Sequence, residues 1–374
     1  MMKKKVKILT WHDLSSAYSC ILYLRNELEK ISEVTIWSKT DSIVMPYKYK
    51  RMYSFLDTFY GKIPKVRNII AQCHMFFTAL IDNTNVYIIN DLDFFIPLYF
   101  VKKIKKKTQV IHYNTEIPGK DVRYPHIIEN FYEKHADYPD MIIECLKERA
   151  EWRKSRFNIN KKIYVIDNTI PAKNIPKISG MEYEDVQFNN DNPIVIYSGR
   201  TALSRQLEEV LECVQTFKDS LNFVFFCFGK ENELEQLERY LKEHCDGNNY
   251  KLNKPLPRTE LHKRMQFCDI GINYYVPEFS INHKYAAPTK FYEYIACGLN
   301  VVSTNNEGIN KIIENNNIGV CIKQKENMED AIKRLLEKGL NDRESIRKTF
   351  EEKYCYEISS FSAIQEIKKI VNAV

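Results

Sequence analysis

The amino-acid sequence predicts an α/β protein built from two doubly wound, Rossmann-like domains facing a cleft. Three observations carry this expectation. Short β-branched and aromatic runs alternate with longer segments of helical period, the pattern of βαβ units and parallel sheets. The alternation breaks off near 171–191, in a stretch rich in proline, asparagine and acidic residues, and then restarts. The chain has 374 residues, which suits two domains at roughly 100–200 residues each.

The expected organisation is a first domain over 1–175, a linker over 176–192, a second domain over 193–355 and a closing helix over 356–374. In the first domain Val6–Thr10, Val34–Trp37, Val86–Asn90, Gln109–Tyr113, Met141–Glu144 and Ile163–Ile166 read as strands, because each is a short apolar or β-branched run. Between them Ser16–Ile31, Lys65–Ile81, Phe94–Lys106 and Lys147–Phe157 carry apolar residues at helical spacing. In the second domain the strands are Ile194–Tyr197, Phe223–Phe228, Tyr250–Leu252, Ile270–Tyr274, Asn300–Ser303 and Gly319–Ile322. Its helices are Leu203–Phe217, Glu231–His244, Glu260–Phe267, Thr289–Ala296 and Met328–Leu340. The tail repeats apolar residues at Ile358, Phe361, Ile364, Ile367, Ile370 and Val371, the face of one last amphipathic helix. Ligands in such sheets bind outside the carboxyl ends of the strands.

Composition excludes several classes. Apolar residues make up 44% and charged residues 28%, so the chain can bury a core and is not disordered. Its longest apolar run, Phe94–Val101, is broken by Pro97 and is far shorter than a membrane span. The apolar stretch after the basic start is too short for a signal peptide, so a cytoplasmic location is expected. The net charge of +6 is mild, and only Lys102–Lys107 is densely basic, which argues against a nucleic-acid partner. The ten cysteines show no CxxC pair, so buried reduced thiols are expected and no metal site. Only 11 glycines occur, three of them in the first 180 residues, so those that remain mark positions where backbone geometry demands one.

The segment Ala286–Ser303 carries the most specific chemistry. Pro288 is placed to open a helix and Gly298 to close it before a strand. Lys290 and Glu293 share one face of that helix, whose amino end at Thr289 offers free N–H groups to a phosphate. The Glu293 carboxylate can accept from two adjacent hydroxyls, as on a ribose. The plainer alternative is a surface ion pair. After the strand Ile194–Tyr197 come Gly199, Arg200 and Arg205, a glycine turn with two guanidinium groups suited to a diphosphate. A third strand ends in Phe228-Gly229-Lys230-Glu231, again with glycine at the turn into a helix.

Taken in order, Gly-Arg-x₄-basic, Phe-Gly-Lys-Glu and Pro-x-Lys-x-x-Glu-Tyr-x-x-x-Gly-x-x-Val-Val resemble the donor-binding domain of GT-B-fold glycosyltransferases, the family 4-like enzymes above all. The resemblance runs from about Ile194 to Ile322. It implies that Arg200 and Arg205 hold the pyrophosphate of a nucleotide-sugar, that Glu293 binds the ribose, and that Gly199, Phe228, Gly229, Thr289 and Lys290 line the same donor site. It places Lys254–Thr259, with Pro255 and Leu256, near the nucleobase. More loosely, Val110–Glu116 resembles the family's cleft turn, which nominates Glu116 and His112 for the acceptor side. A lone strand histidine is more often structural. Arg200, Arg205 and Lys290 would be the catalytic cations.

The resemblance implies a metal-independent hexosyl- or glycosyltransferase without a cofactor, the UDP- or GDP-sugar being a substrate. The implied acceptor is a saccharide, free or carried on a polyprenyl diphosphate, in capsule, exopolysaccharide or O-antigen assembly. A lipid-carried acceptor would bring the chain to the inner face of an anionic membrane, where Lys102–Lys107, otherwise a solvated helix end, would touch lipid. Asp91-Leu92-Asp93 reads as a loop and helix cap.

Three positions depart from the family pattern. Tyr285 stands eight residues before Glu293, where a glutamate is usual, with Glu278 upstream as a substitute. His12–Ser16 replaces a glycine-rich turn, and Lys311 replaces a common glutamate. A nucleotide-sugar 2-epimerase on the same fold, and a catalytically inactive nucleotide-binding homologue, are the alternative readings.

Overall fold

The computed structural model describes residues 4–10, 19–38, 49–51, 64–119, 122, 124–176, 183–201, 207–245 and 247–373. Arg205 and His12–Ser16 lie outside the described residues, as do the starts of the helices expected from Ser16 and Leu203.

The chain divides into two compact units, residues 1–167 with 360–374 and residues 168–359. The first unit holds strands β1 Lys5–Leu9, β2 Glu33–Ser38, β3 Tyr49–Arg51, β4 Val86–Ile89, β5 Gln109–Tyr113, β6 Met141–Glu144 and β7 Ile163–Val165. They form one sheet in the order β3-β2-β1-β4-β5-β6-β7. Every pairing is parallel, with Leu9 opposite both Trp37 and Ile89. Strands β4 and β6 are buried from end to end, as strands covered on both faces must be. Covering helices include Pro64–Ile81, Phe95–Ile104, His126–His135 and Lys147–Arg156. Asp91 lies at the N-cap position of a short 3₁₀ turn, Leu92–Phe94, that leads into Phe95–Ile104.

The second unit repeats the plan. Its strands are β8 Ile194–Arg200, β9 Asn222–Phe228, β10 Tyr250–Asn253, β11 Ile270–Asn273, β12 Asn300–Ser303 and β13 Gly319–Cys321, in the order β10-β9-β8-β11-β12-β13. All are parallel, so both sheets are doubly wound, as expected. The strand order reverses between β8 and β11, and a crevice at the carboxyl ends of these two strands is where this topology binds ligands. Residues 183–192 are tied to the second sheet, since Asp185 accepts from Arg264 Nε at 3.1 Å and its carbonyl accepts from Asn253 at 3.0 Å. The final helix, Tyr356–Ala373, begins in the second unit, and its residues from Ser360 onward belong to the first.

Nine of the ten cysteines are buried and none forms a disulfide; Cys73 is exposed. Among the described residues no helix is long and apolar enough to cross a membrane.

Candidate functional site

The helix Thr289–Ala296 is positioned by its own aromatic side chains. Tyr294 is fully buried, and its hydroxyl meets the Ser198 N–H at 3.0 Å and the Ser198 hydroxyl at 3.2 Å, on β8. Its ring lies on Gly271 of β11, where an added Cβ would fall 2.4 Å from Tyr294 Cγ. One tyrosine thus clamps the helix to both strands that flank the reversal in strand order. Pro288 sits at the N-cap, and the helix stops at Gly298 (φ +80°), where any Cβ would strike the Arg343 backbone.

That clamp delivers Lys290 to the end of β8. Lys290 is only 9% exposed. Its ammonium lies 4.2 Å from the ring centroid of Tyr197 and 5.0 Å from that of Tyr275, a cation held between two aromatic faces. Gly199 has φ +153°, and a Cβ there would lie 3.4 Å from Lys290 Nζ. The glycine therefore leaves the backbone open beside the ammonium. Tyr197 also donates to the Arg200 carbonyl at 3.2 Å, which fixes the turn that follows. Arg200 itself is exposed at the strand end, opposite Phe228 of β9.

Phe228 is 54% exposed, an unusual state for so large an apolar side chain at a strand end. At the next residue, Gly229, a Cβ would lie 2.1 Å from Thr201 Oγ1, so a side chain there would displace that hydroxyl. The turn closes where Lys230 N–H donates to Glu233 at 3.2 Å and opens the helix Glu231–His244. Pro255 and Leu256 follow β10, at the same edge of the sheet. Gly199, Arg200, Phe228, Gly229, Pro255, Leu256, Thr289 and Lys290 thus all lie at or just beyond the carboxyl ends of neighbouring strands.

Glu293 is 5% exposed and lies on the same helix as Lys290. Its Oε1 meets Arg258 Nε at 2.8 Å and His262 Nε2 at 3.0 Å. Burial alone would favour the neutral acid, but Arg258, His262 and Lys290 outweigh it and hold the carboxyl below its ordinary value. Arg258 and His262 are one turn apart on the helix Arg258–Met265, so both reach the same carboxylate. Sequence reasoning missed these two, and also Tyr197, Tyr275 and Asn306. Asn306 donates at 2.7 Å to the carbonyls of both Tyr275 and His283, tying down the loop that leads into Lys290. Of these, only the i,i+4 spacing of Arg258 and His262 left a trace in the sequence. Tyr285 is half-buried and Glu278 exposed in that loop.

His112 and Glu116 lie in the first unit. His112 is 1% exposed, packed against Phe95 and Tyr132 at 5.4 and 5.7 Å between ring centroids, and among the described residues neither ring nitrogen is hydrogen-bonded. Burial, reinforced by Arg153, pushes its pKa well below 6.5. The Glu116 carbonyl accepts from Arg153 at 3.4 Å. Beside them a buried network joins Glu144 to Arg153 and Arg149, and Arg153 also donates to the Tyr132 hydroxyl at 2.5 Å. Among the described residues no three His, Cys, Asp or Glu side chains come together as metal ligands.

Comparison with known proteins bears on the fold. No curated protein matches the chain in sequence. The fold is similar to that of sucrose-phosphate synthase from Thermosynechococcus elongatus, at 12% identity and TM-score 0.75 over 100% of both chains. It is also similar to a glycosyltransferase from Rickettsia africae, at 13% identity and TM-score 0.74 over 99% of both. Anabaena HepE, solved in complex with UDP-glucose, matches at 12% identity and TM-score 0.69 over 99% of this chain and 100% of that one. Residues 182–353 match the family described as glycosyl transferases group 1, a span that contains Gly199, Arg200, Lys290 and Glu293. This protein has the GT-B fold, and its residues 182–353 match the model of the glycosyl transferases group 1 family.

Proposed function

We propose that the protein transfers a hexosyl or related glycosyl unit from a nucleoside-diphosphate sugar to a saccharide acceptor, in the assembly of a surface polysaccharide. The observation that carries this reading is the placement of the Lys290 ammonium against Gly199 at the β8–β11 reversal, with an ionised Glu293 on the same helix. A ribose would hydrogen-bond to Glu293, whose carboxylate Arg258 and His262 hold in place. The diphosphate would then lie between Lys290, Arg200 and the helix end at Thr289.

Breaking the anomeric C–O bond places negative charge on the departing diphosphate. Cations already in position stabilise that charge more in the transition state than in the ground state, and so lower the barrier. In this reading side chains do the work without a divalent ion, no cofactor takes part, and a lipid-carried saccharide is the acceptor. Glu116 is retained as an acceptor-side group. His112, neutral and enclosed, serves the first unit's packing.

The test is incubation with UDP-, GDP- and ADP-sugars, with and without saccharide or polyprenyl-linked acceptors, in the presence of EDTA. Acceptor-dependent release of the nucleoside diphosphate is expected. Conversion of the sugar-nucleotide to its C2 epimer without an acceptor would replace this reading by the epimerase. Nucleotide binding with no turnover on any acceptor would leave an inactive homologue.

A further inference from the structure

Three neighbouring helices of the first unit expose apolar side chains at one-turn intervals, where a soluble surface would carry polar ones. On Pro64–Ile81, Phe77 is 62% and Ile81 84% exposed. On Phe95–Ile104, Phe100 is 47% and Ile104 61% exposed. On His126–His135, Ile127 is 72% exposed, and Phe131, one turn on, lies 6.2 Å from Phe100 between ring centroids. Each pair is spaced i,i+4 and so shares a face of its helix.

The stripes are joined. Lys105 donates to the carbonyls of Ala79 and Asp82, which brings the carboxyl ends of the first two helices together. A face continuous over three helices exceeds the scattered apolar residues of an ordinary surface.

Charge identifies the occupant. Of the basic run 102–107, Lys102 pairs with Asp140 and Lys105 is spent on the helix-end carbonyls. Lys103, Lys106 and Lys107 are exposed beside Phe100 and Ile104 and make no ion pair among the described residues. Lysines bordering exposed phenylalanine and isoleucine are the composition of a surface that lies in an anionic bilayer interface. A second copy of the chain would set the same lysines against each other by symmetry, which disfavours a dimer through this face.

We infer that this face of the first unit docks on anionic phospholipid, with Phe77, Ile81, Phe100, Ile104 and Ile127 entering the headgroup boundary and Lys103, Lys106 and Lys107 meeting the phosphates. The inference goes beyond the proposed transfer reaction and does not depend on it.

The test is co-flotation of the full chain with phosphatidylethanolamine vesicles containing phosphatidylglycerol, at low and high salt. The wild-type chain should float at low salt and be released as salt rises. The triple variant Lys103→Glu, Lys106→Glu, Lys107→Glu should lose at least a hundredfold in partitioning. The double variant Phe77→Ser, Phe100→Ser should lose about tenfold or more. All these positions are exposed, so thermal unfolding should match the wild type. Donor binding, measured by calorimetry without lipid, should also be unchanged, which separates this inference from the reading of the active site. Failure of the wild type to float, or floating of the Phe variant as well as the wild type, would overturn it. So would a wild-type dimer that the Phe variant splits into monomers, since a second copy would then be the occupant.

Discussion

Replacing Gly271 by alanine tests the clamp that aims Lys290. The new Cβ would lie 2.4 Å from Cγ and 2.5 Å from Cδ2 of Tyr294. Carbon atoms rest at about 3.5 Å or more, so the ring must retreat by about 1 Å. Tyr294 is fully buried, so overpacking should cost about 1–3 kcal/mol. Retreat also breaks the two contacts of its hydroxyl with Ser198, worth about 1 kcal/mol each. The expected loss is therefore ~3–5 kcal/mol, read from urea unfolding followed by circular dichroism. Because Lys290 is one turn from Tyr294 on the same helix, donor affinity should fall as well. All three tryptophans precede residue 168, so their fluorescence follows the first unit while circular dichroism follows both. If the clash is the cause, adding Gly271→Ala to Tyr294→Ala should cost almost nothing further. A single variant within about 0.5 kcal/mol of the wild type would refute the clamp.

Other perturbations separate the roles of individual groups. Arg200→Ala and Lys290→Met should each cut turnover by ~10²–10³, measured as nucleoside-diphosphate release, with unfolding of the Arg200 variant unchanged. Glu293→Gln should weaken nucleotide binding by about tenfold to a hundredfold in calorimetry, because a neutral amide replaces a charged acceptor. The native Glu293 carboxyl lies below 4.5, so its stabilisation is complete above that pH and fades as pH falls through the lowered native value. The Gln variant should flatten that acid limb in pH-dependent urea midpoints. For His112, folding holds the imidazole proton-free below 6.5, so the unfolded chain binds the extra proton. Stability should be full above pH 6.5 and fall by up to about 1.4 kcal/mol per unit below it. An identical slope in His112→Leu would show that another group titrates.

Much of the fold is legible where strands are continuous apolar runs. Gln109–Tyr113, Met141–Glu144 and Asn300–Ser303 begin and end where the sequence predicts. Tyr49–Arg51 was missed because a basic three-residue edge strand has no apolar pattern to show. The helix His126–His135 was also missed, although Ile128, Phe131 and Tyr132 carry its period. Ile309–Asn316 was passed over because it opens on Gly308 at φ +92°, where a turn is the natural reading. At the site, Lys290 and Glu293 were readable because proline, lysine, glutamate and glycine occur together in one local motif. Arg258 and His262 were not. They belong to Arg-Thr-Glu-Leu-His-Lys-Arg-Met, which reads as a solvated helix, and that pattern does not say which of its cations meets the Glu293 carboxylate.

The first unit is written in two separate parts of the gene, with the whole second unit between them. During synthesis, residues 1–167 emerge long before residues 360–374, so the first lobe must wait unfinished while the second is completed. A fragment cut at the apparent domain boundary would leave a hydrophobic seat without its helix, and it should aggregate where the intact chain does not. Any attempt to exchange the second unit between relatives therefore has to carry two junctions rather than one.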